Sequence, residues 1–230
     1  MNFLRRRLLL SLVLLAMAPC GRAGGLENIT GKEAAQALRE SLEKGARAAL
    51  VRLGREDGYF ANPKVKIGLP KNFVKGDRIL RSLGQGKKVD DLVLAMNRAA
   101  EAAAPLAQDL VLDAVRKMTV EDAKIILTGG DDAATTYFRK ATEAQLSDKL
   151  LPVIKSVTEG SDLARSYNAV SEKLVRFAGV KSDLSTVENY VNKKALDGVY
   201  ALIAEEERAI RADPARAAGG LVGRVFQLLK

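Results

Sequence analysis

Any chemistry in this chain must rest on carboxylates, amines, hydroxyls and amides, because the chain has no histidine and a single cysteine, Cys20. Cys20 lies inside a segment typical of a cleaved export signal, so the remaining chain has neither an imidazole base nor a thiolate nucleophile. A Ser-His-Asp triad and a His/Cys metal site are excluded for the same reason. We expect no cofactor and no metal, and the two candidate catalytic residues are Glu206 and Glu101.

Glu206 is the acidic residue with the least usual position. On a helix that turns about 100° per residue, it falls near the centre of an apolar stripe made of Val191, Ala195, Val199, Leu202, Ala209 and Ile210. A lone buried carboxylate is costly unless it is paired or protonated. Glu206 is therefore a candidate for an acid with a raised pKa or for a ligand-binding carboxylate. The structural alternatives are an ion pair with an arginine and a helix end that emerges into water.

A second group of candidates lies on the longest predicted helix. Asn97 and Glu101 are four residues apart and share a face beside the apolar stripe, and Arg98 can reach Glu101 across one turn. This row predicts either the lining of a pocket, with Asn97, Arg98 and Glu101 as ligand-binding residues, or a solvated flank with an internal ion pair.

Residues 55–70 are the least helical part of the chain. They contain two glycines, two prolines and a short alternating piece at Val65-Lys66-Ile67. This composition predicts an ordered loop, with a small strand or hairpin as the alternative. Loops on rigid scaffolds often carry function, which makes Tyr59 a candidate ligand-binding residue. The alternative is that the rings of Tyr59 and Phe60 close the end of a helical bundle.

Helix-capping patterns divide the chain into helices. Thr30-x-x-Glu33 and Ser185-x-x-Glu188 are capping boxes, and Thr119-x-x-Asp122 resembles one. The pair Asp131 and Asp132 follows two glycines, where one of them is expected to cap the next helix. Calcium binding by this acidic turn is the alternative, but no further residues follow a calcium-site spacing.

The composition predicts an all-α fold, because aromatic residues make up 5% of the chain, tryptophan is absent and small apolar side chains allow close helix packing. We expect a single domain over residues 24–230, a multi-helix bundle with an irregular segment near residues 55–70. The predicted helices cover residues 34–53, 73–83, 89–118 with a kink at Pro105, 119–127, 131–150 with a break or bend at Pro152, 161–177, 185–212 and 221–228.

Residues 1–23 have the order of a secretory signal peptide. Arg5-Arg6-Arg7 precede an apolar run that ends at Ala18, and small residues surround a cleavage point before Gly24. This run is too short for a stable span, and no later stretch has about eighteen uninterrupted apolar residues. We therefore predict export and no transmembrane span in the mature chain, with lipidation of Cys20 as the alternative.

The net charge argues against nucleic-acid binding. The whole chain carries +9, but removal of the signal takes away four of 37 basic residues, which leaves 33 against 28 acidic residues, or +5. No block of basic and aromatic residues occurs, so we expect no nucleic-acid partner.

Three blocks of sequence resemble the DUF4197 family of exported bacterial proteins of unknown function. They are GYF at 58–60 with VKIGLP at 65–70, MNRAAEAA at 96–103 with the segments 118–123 and 126–129, and YVNKKALDG at 190–198 with EE at 206–207 and IRADP at 210–214. The resemblance implies a mostly helical protein exported to the bacterial envelope, which places it in the periplasm. It implies no activity and no catalytic residues.

These observations together predict a non-enzymatic binding or structural module that recognises an envelope protein or an apolar ligand held between helices. One alternative is a carboxylate-dependent hydrolase of cell-envelope glycans, with Glu206 or Glu101 as the acid. Another is a lipid or membrane-surface module that uses the apolar face of residues 221–229.

Overall fold

The computed structural model describes residues 30–70, 74–160 and 186–213, together with five residues between 162 and 168. The helices are α1 (Gly31–Leu53), α2 (Val74–Ser82), α3 (Gly86–Ala103), a 3-10 turn (Ala104–Leu106), α4 (Ala107–Lys117), α5 (Val120–Thr128), α6 (Ala133–Thr158) and α7 (Val187–Ala212). These described ranges contain helices and no strand, so the predicted all-α class is confirmed. The predicted signal at 1–23, the terminal helix at 221–228 and most of the helix at 161–177 lie outside the described residues.

Helix α7 is the centre of the bundle, because it packs against α1, α3 and α6. Helix α1 also packs against α4 and α5, whereas α3 and α4 pack against α6. Fully buried alanines such as Ala49, Ala103 and Ala134 lie in these contacts, and side chains this small allow helix axes to approach closely. Within the described ranges, no helix is both long enough and apolar enough to cross a bilayer.

Local sequence signals set several helix boundaries as predicted. At the start of α1, the Thr30 hydroxyl accepts a hydrogen bond from the Glu33 amide and the Glu33 carboxylate accepts one from the Thr30 amide. Thr119 and Asp122 form the same reciprocal box at the start of α5. At the predicted kink, a 3-10 turn that contains Pro105 separates α3 from α4, since proline cannot donate the α-helical hydrogen bond.

Two boundary predictions are wrong. Helix α6 does not break at Pro152 but continues to Thr158. Pro152 is exposed, and so is Asp148 four residues earlier, so the carbonyl that loses its partner faces water. Asp132 occupies the N-cap position of α6 without a side-chain cap. Thr186 caps α7 by accepting a hydrogen bond from the Asn189 amide, whereas Ser185 of the predicted capping box lies outside the described residues.

The segment between α1 and α2 contains turns and no strand or hairpin across residues 54–70, so the suggested strand at residues 65–67 is wrong. The physical reason is that side chains of α3 satisfy the backbone there. The amides of Tyr59, Phe60 and Ile67 donate to the side chains of Glu101 and Asn97 instead of to a neighbouring strand. We call residues 54–70 the pinned loop.

Candidate functional site

The pinned loop is held by a carboxylate that comes from α3. Glu101 is 4% exposed, and its Oε1 atom accepts hydrogen bonds from the amides of Tyr59 and Phe60, both at 3.0 Å. Its Oε2 atom lies 2.6 Å from Nη1 of Arg98. Both oxygens are thus engaged, which is what makes a buried ionised carboxylate tolerable.

Arg98 extends this anchor to the start of the loop. Its Nη2 atom lies 2.8 Å from Asp57 and 3.3 Å from Glu56. Hydrogen bonds to Glu101 and Asp57 raise the pKa of Arg98. The predicted pair of Arg98 and Glu101 is confirmed, but Glu101 lies on a buried face rather than on a solvated flank, because the pinned loop covers it.

Asn97 forms a second anchor one turn before Glu101. Its side chain is fully buried. Its Oδ1 atom accepts from the Ile67 amide at 2.9 Å, and its Nδ2 atom donates to the carbonyls of Ile67 at 2.8 Å and Val93 at 2.7 Å. One amide side chain thus pairs with both backbone groups of Ile67, as a strand neighbour would. The polar atoms of the Asn97 side chain are thus engaged by backbone groups of the fold.

Tyr59 connects the pinned loop to the central helix. The side chain is fully buried, and its hydroxyl donates to the Ala195 carbonyl at 2.7 Å. Burial raises the pKa of Tyr59, and the carboxylates of Glu101 and Asp197 add to this shift. The Tyr59 ring fills the space between the pinned loop and α7, as expected if it closes the end of the bundle. The Phe60 ring is partly exposed, and Nζ of Lys66 lies 4.1 Å from its centroid.

Gly198 lets the Tyr59 ring approach α7, and this contact gives a stability prediction. A Cβ atom added at Gly198 would lie 2.5 Å from Cε1 of Tyr59. We expect Gly198→Ala to lower the free energy of unfolding by about 1–3 kcal/mol in a urea titration, because the ring is fully buried and its hydroxyl is held by the Ala195 carbonyl. Gly68→Ala is the matched control, since its added Cβ meets no atom within 4 Å. Equal stability of the two variants would contradict the close contact.

Glu206 is paired with an arginine, as one structural alternative predicted. Its carboxylate lies 3.1 Å from Nη1 of Arg52, and its side chain is 24% exposed. The neighbouring Glu205 bridges Arg52 at 3.3 Å and Lys64 at 2.5 Å. The hydrogen bond from Lys64, together with that from Arg52, lowers the pKa of Glu205. This cluster ties the end of α1 and the pinned loop to α7.

Glu207 is the more deeply buried of two buried carboxylates in α7, the other being Glu188, and sequence reasoning missed it. It is 3% exposed and caps α6 by accepting from the amides of Ala134 at 2.9 Å and Thr135 at 2.8 Å. Its Oε1 atom also lies 2.9 Å from Nη2 of Arg211. The available signal was its spacing, four residues after Ile203 and three before Ile210, which places Glu207 on an apolar face.

A groove of about 520 Å³ separates the outer faces of α1 and α7, and we call it the α1–α7 groove. Its lining consists of Ser41, Lys44, Gly45, Ala48, Glu206, Ala209, Ile210, Ala212 and Asp213. Gly45 allows the two helices to meet at its base, since an added Cβ would lie 3.2 Å from Cβ of Glu206. Most of the lining is small or apolar, whereas Glu206, Asp213 and Lys44 supply the charges.

The acidic turn before α6 lies at the surface. Asp131 and Asp132 are both exposed. The described part of the chain contains no cluster of three or more His, Cys, Asp or Glu side chains suited to a metal ion.

The fold and the site define an all-helical protein in which most of the candidate polar residues hold a loop and helix ends in place. The chain belongs to the DUF4197 family, described as a protein of unknown function, whose family model matches residues 28–227. No curated protein and no solved structure matches the chain.

Proposed function

We propose that this protein is an exported, non-enzymatic binding module of the bacterial cell envelope, and that the α1–α7 groove binds an apolar helical segment of a partner protein. The observation that carries the proposal is the groove itself, with its mostly small and apolar lining. Ser41 and Ala48 are seven residues apart, so α1 contributes a wall about 10 Å long. This length accommodates about two turns of a partner helix.

The lining is mostly small or apolar, which indicates what kind of helix fits. Its charged members are Lys44, Glu206 and Asp213, and Glu206 is paired with Arg52 from outside the lining. A partner segment that presents an apolar stripe therefore complements the groove.

The engagement of the two candidate acids supports a non-enzymatic role. Both oxygens of Glu101 are occupied by the pinned loop and Arg98, so Glu101 has no free oxygen for a substrate. Glu206 is held by Arg52. A general acid must have access to the leaving group of its substrate, and these contacts with the fold compete with such access.

The glycan hydrolase alternative retains one supporting observation, because Glu206 and Asp213 both line the same open groove. Hydrolysis of cell-wall glycan by purified protein, lost in Glu206→Gln, would replace the binding proposal with this alternative. The lipid alternative concerns residues 221–229, which lie outside the described residues.

Export is the part of the proposal that comes from residues 1–23. We expect protein recovered from the periplasm to begin near Gly24, because the small residues before it suit signal cleavage. Intact-mass measurement tests this. A mass that retains Cys20 with an added diacylglyceryl group would instead establish a membrane-anchored lipoprotein, and an uncleaved chain in the cytoplasm would contradict export.

Partner capture tests the groove directly. The mature protein and two variants, Ala48→Arg and Ala201→Arg, are used as baits in an envelope extract. Both alanines are exposed on helices, but only Ala48 lines the groove. We expect a stoichiometric partner whose capture falls about tenfold with Ala48→Arg, which corresponds to about 1.4 kcal/mol, and is unchanged with Ala201→Arg. Equal capture by all three baits would contradict binding in the groove.

A further inference from the structure

Three glutamate side chains are buried in the described part of the chain: Glu101, Glu188 and Glu207. Glu101 forms an ion pair with Arg98, and Glu207 forms one with Arg211. Glu188 differs, because its contacts among the described residues are hydrogen bonds from neutral side chains. At 9% exposure, Glu188 is therefore the one of these three carboxylates for which the described residues supply no cation.

The neutral contacts leave part of the Glu188 carboxylate available. Nδ2 of Asn168 donates to its two oxygens at 2.9 and 3.1 Å. The Thr158 hydroxyl lies 3.2 Å from Oε1 of Glu188, but it also lies 3.0 Å from the Ile154 carbonyl and has a single hydrogen to share. Since a carboxylate has about four acceptor positions, Glu188 can accept a further donor.

Glu188 lines a pocket of about 380 Å³ between the end of α6 and the start of α7. The lining also includes two apolar side chains, Leu151 and Ala164, and the side chain of Asn189. The backbone amide of Asn189 donates to Thr186 at the helix cap, whereas its side-chain amide has no hydrogen-bond partner among the described residues. The pocket therefore combines a buried carboxylate, apolar side chains and an available polar group.

The two basic side chains in the same lining are engaged with other acids. Nζ of Lys155 lies 3.8 Å from the carboxylate of Glu159. Arg165 pairs with Asp162 and donates to the Glu159 carbonyl at 2.7 Å. Both side chains are largely exposed, at 64% for Lys155 and 59% for Arg165. They face water at the edge of the pocket and leave the charge of Glu188 uncompensated.

We propose that this pocket binds a small organic cation, a primary ammonium group on a short alkyl chain, and that the ammonium group pairs with Glu188. An ammonium group donates three hydrogen bonds, and the Glu188 carboxylate and the side-chain oxygen of Asn189 can accept them. Hydrogen bonds between charged groups are stronger than neutral ones. The alkyl chain lies against Leu151 and Ala164, and it must be short because about 380 Å³ is near the lower limit for small-molecule sites.

A divalent metal ion fits this pocket less well than an organic cation. Calcium takes about six to eight oxygen ligands, and Glu188 is the one buried carboxylate of the described lining. An alkylammonium ion needs fewer acceptors, and the apolar part of the lining complements its chain.

Isothermal titration calorimetry of the purified protein with butylammonium chloride tests the site. We expect one butylammonium ion to bind per chain and n-butanol, which has the same chain without the charge, not to bind. Glu188→Gln should weaken the binding of butylammonium at least about tenfold, because glutamine removes the charge. Glu143→Gln is the matched control, since Glu143 is a partly exposed acid of α6 that pairs with Arg139 and lies roughly 22 Å along the helix from Thr158. Its affinity should change less than about twofold.

A variant that fills the pocket tests the same proposal with Glu188 in place. We expect the indole of Asn189→Trp to occupy the pocket and to weaken butylammonium binding by a similar factor, and circular dichroism checks that each variant is folded. Unchanged affinity in a folded Glu188→Gln or Asn189→Trp variant would overturn the proposal. Equal binding of potassium ions would also overturn it, because the site would then accept any monovalent cation.

This inference is independent of the proposed function, because the α1–α7 groove lies at the other end of α7. We expect Glu188→Gln to capture the same partner as the unaltered bait. Capture that is sensitive to Ala48→Arg, in a protein that binds no butylammonium, would overturn the ammonium site alone. Butylammonium binding without such capture would support the ammonium site and contradict binding in the groove.

Discussion

Replacement of Glu101 by alanine should lower the free energy of unfolding by about 3 kcal/mol, although Glu101 carries none of the proposed binding. Removal of one member of a buried ion pair commonly costs 3–5 kcal/mol, and the partial exposure of Arg98 places the expected value at the lower end of that range. The amides of Tyr59 and Phe60 lose their acceptor at the same time. For a domain of this size, the melting temperature should fall by roughly 6–12 °C.

Trypsin cleavage of the pinned loop gives a second measurement for the Glu101→Ala variant. Arg55, Lys64 and Lys66 are exposed trypsin sites in the pinned loop, and we expect them to be cleaved faster once the anchor is removed. Glu43→Ala is the matched control, because it removes a helix-surface ion pair to Arg47 at 2.8 Å that is partly exposed. That pair should contribute less than about 1 kcal/mol. Equal losses in the two variants would mean that Glu101 does not hold the loop.

Neutralisation of Glu207 should be far more damaging than neutralisation of its neighbour Glu206. We expect Glu207→Gln to lower the free energy of unfolding by about 2–4 kcal/mol. One carboxylate oxygen of Glu207 accepts hydrogen bonds from Ala134 and Arg211, and the other accepts one from Thr135. In Glu207→Gln the side-chain NH2 group must therefore face other hydrogen-bond donors on one side. The N-terminus of α6 also loses a negative charge that stabilises the helix.

Glu206→Gln is the internal control for this comparison. It removes a partly exposed ion pair with Arg52, so its expected cost is about 0–1 kcal/mol. Urea titrations of both variants measure the difference, and hydrogen exchange should show faster opening of the first turn of α6 in Glu207→Gln only. A larger loss in Glu206→Gln would contradict the assignment of Glu207 as the buried carboxylate of this pair.

The two glutamates show why a helix face cannot be assigned from its own pattern alone. Glu206 and Glu207 differ by about 100° around α7, and α7 has buried residues facing α1, α3 and α6. When a helix is covered on several sides, its apolar residues spread widely and the centre of the stripe is poorly defined. The contact with the N-terminus of α6 decides that Glu207 is the buried one.

The unexpected burial of two polar side chains on α3 has a related explanation. The sequence correctly placed Asn97, Arg98 and Glu101 together and predicted the pair of Arg98 with Glu101. It did not predict burial, because the groups that cover Asn97 and Glu101 are backbone amides of a loop about 30–40 residues away. Backbone amides carry no residue-specific signal in a sequence, so their acceptors are visible only in the folded chain.

The sequence by itself determined what depends on neighbours along the chain: the all-α class, the capping boxes at Thr30 and Thr119, and the interruption at Pro105. These features need only side chains within about four residues of one another. The tertiary structure decided the cap of α6, which Glu207 supplies from more than 70 residues away, and the conversion of Asn97 and Glu101 into anchors. It also created the α1–α7 groove, since this groove lies between two helices that are far apart in sequence and pack side by side.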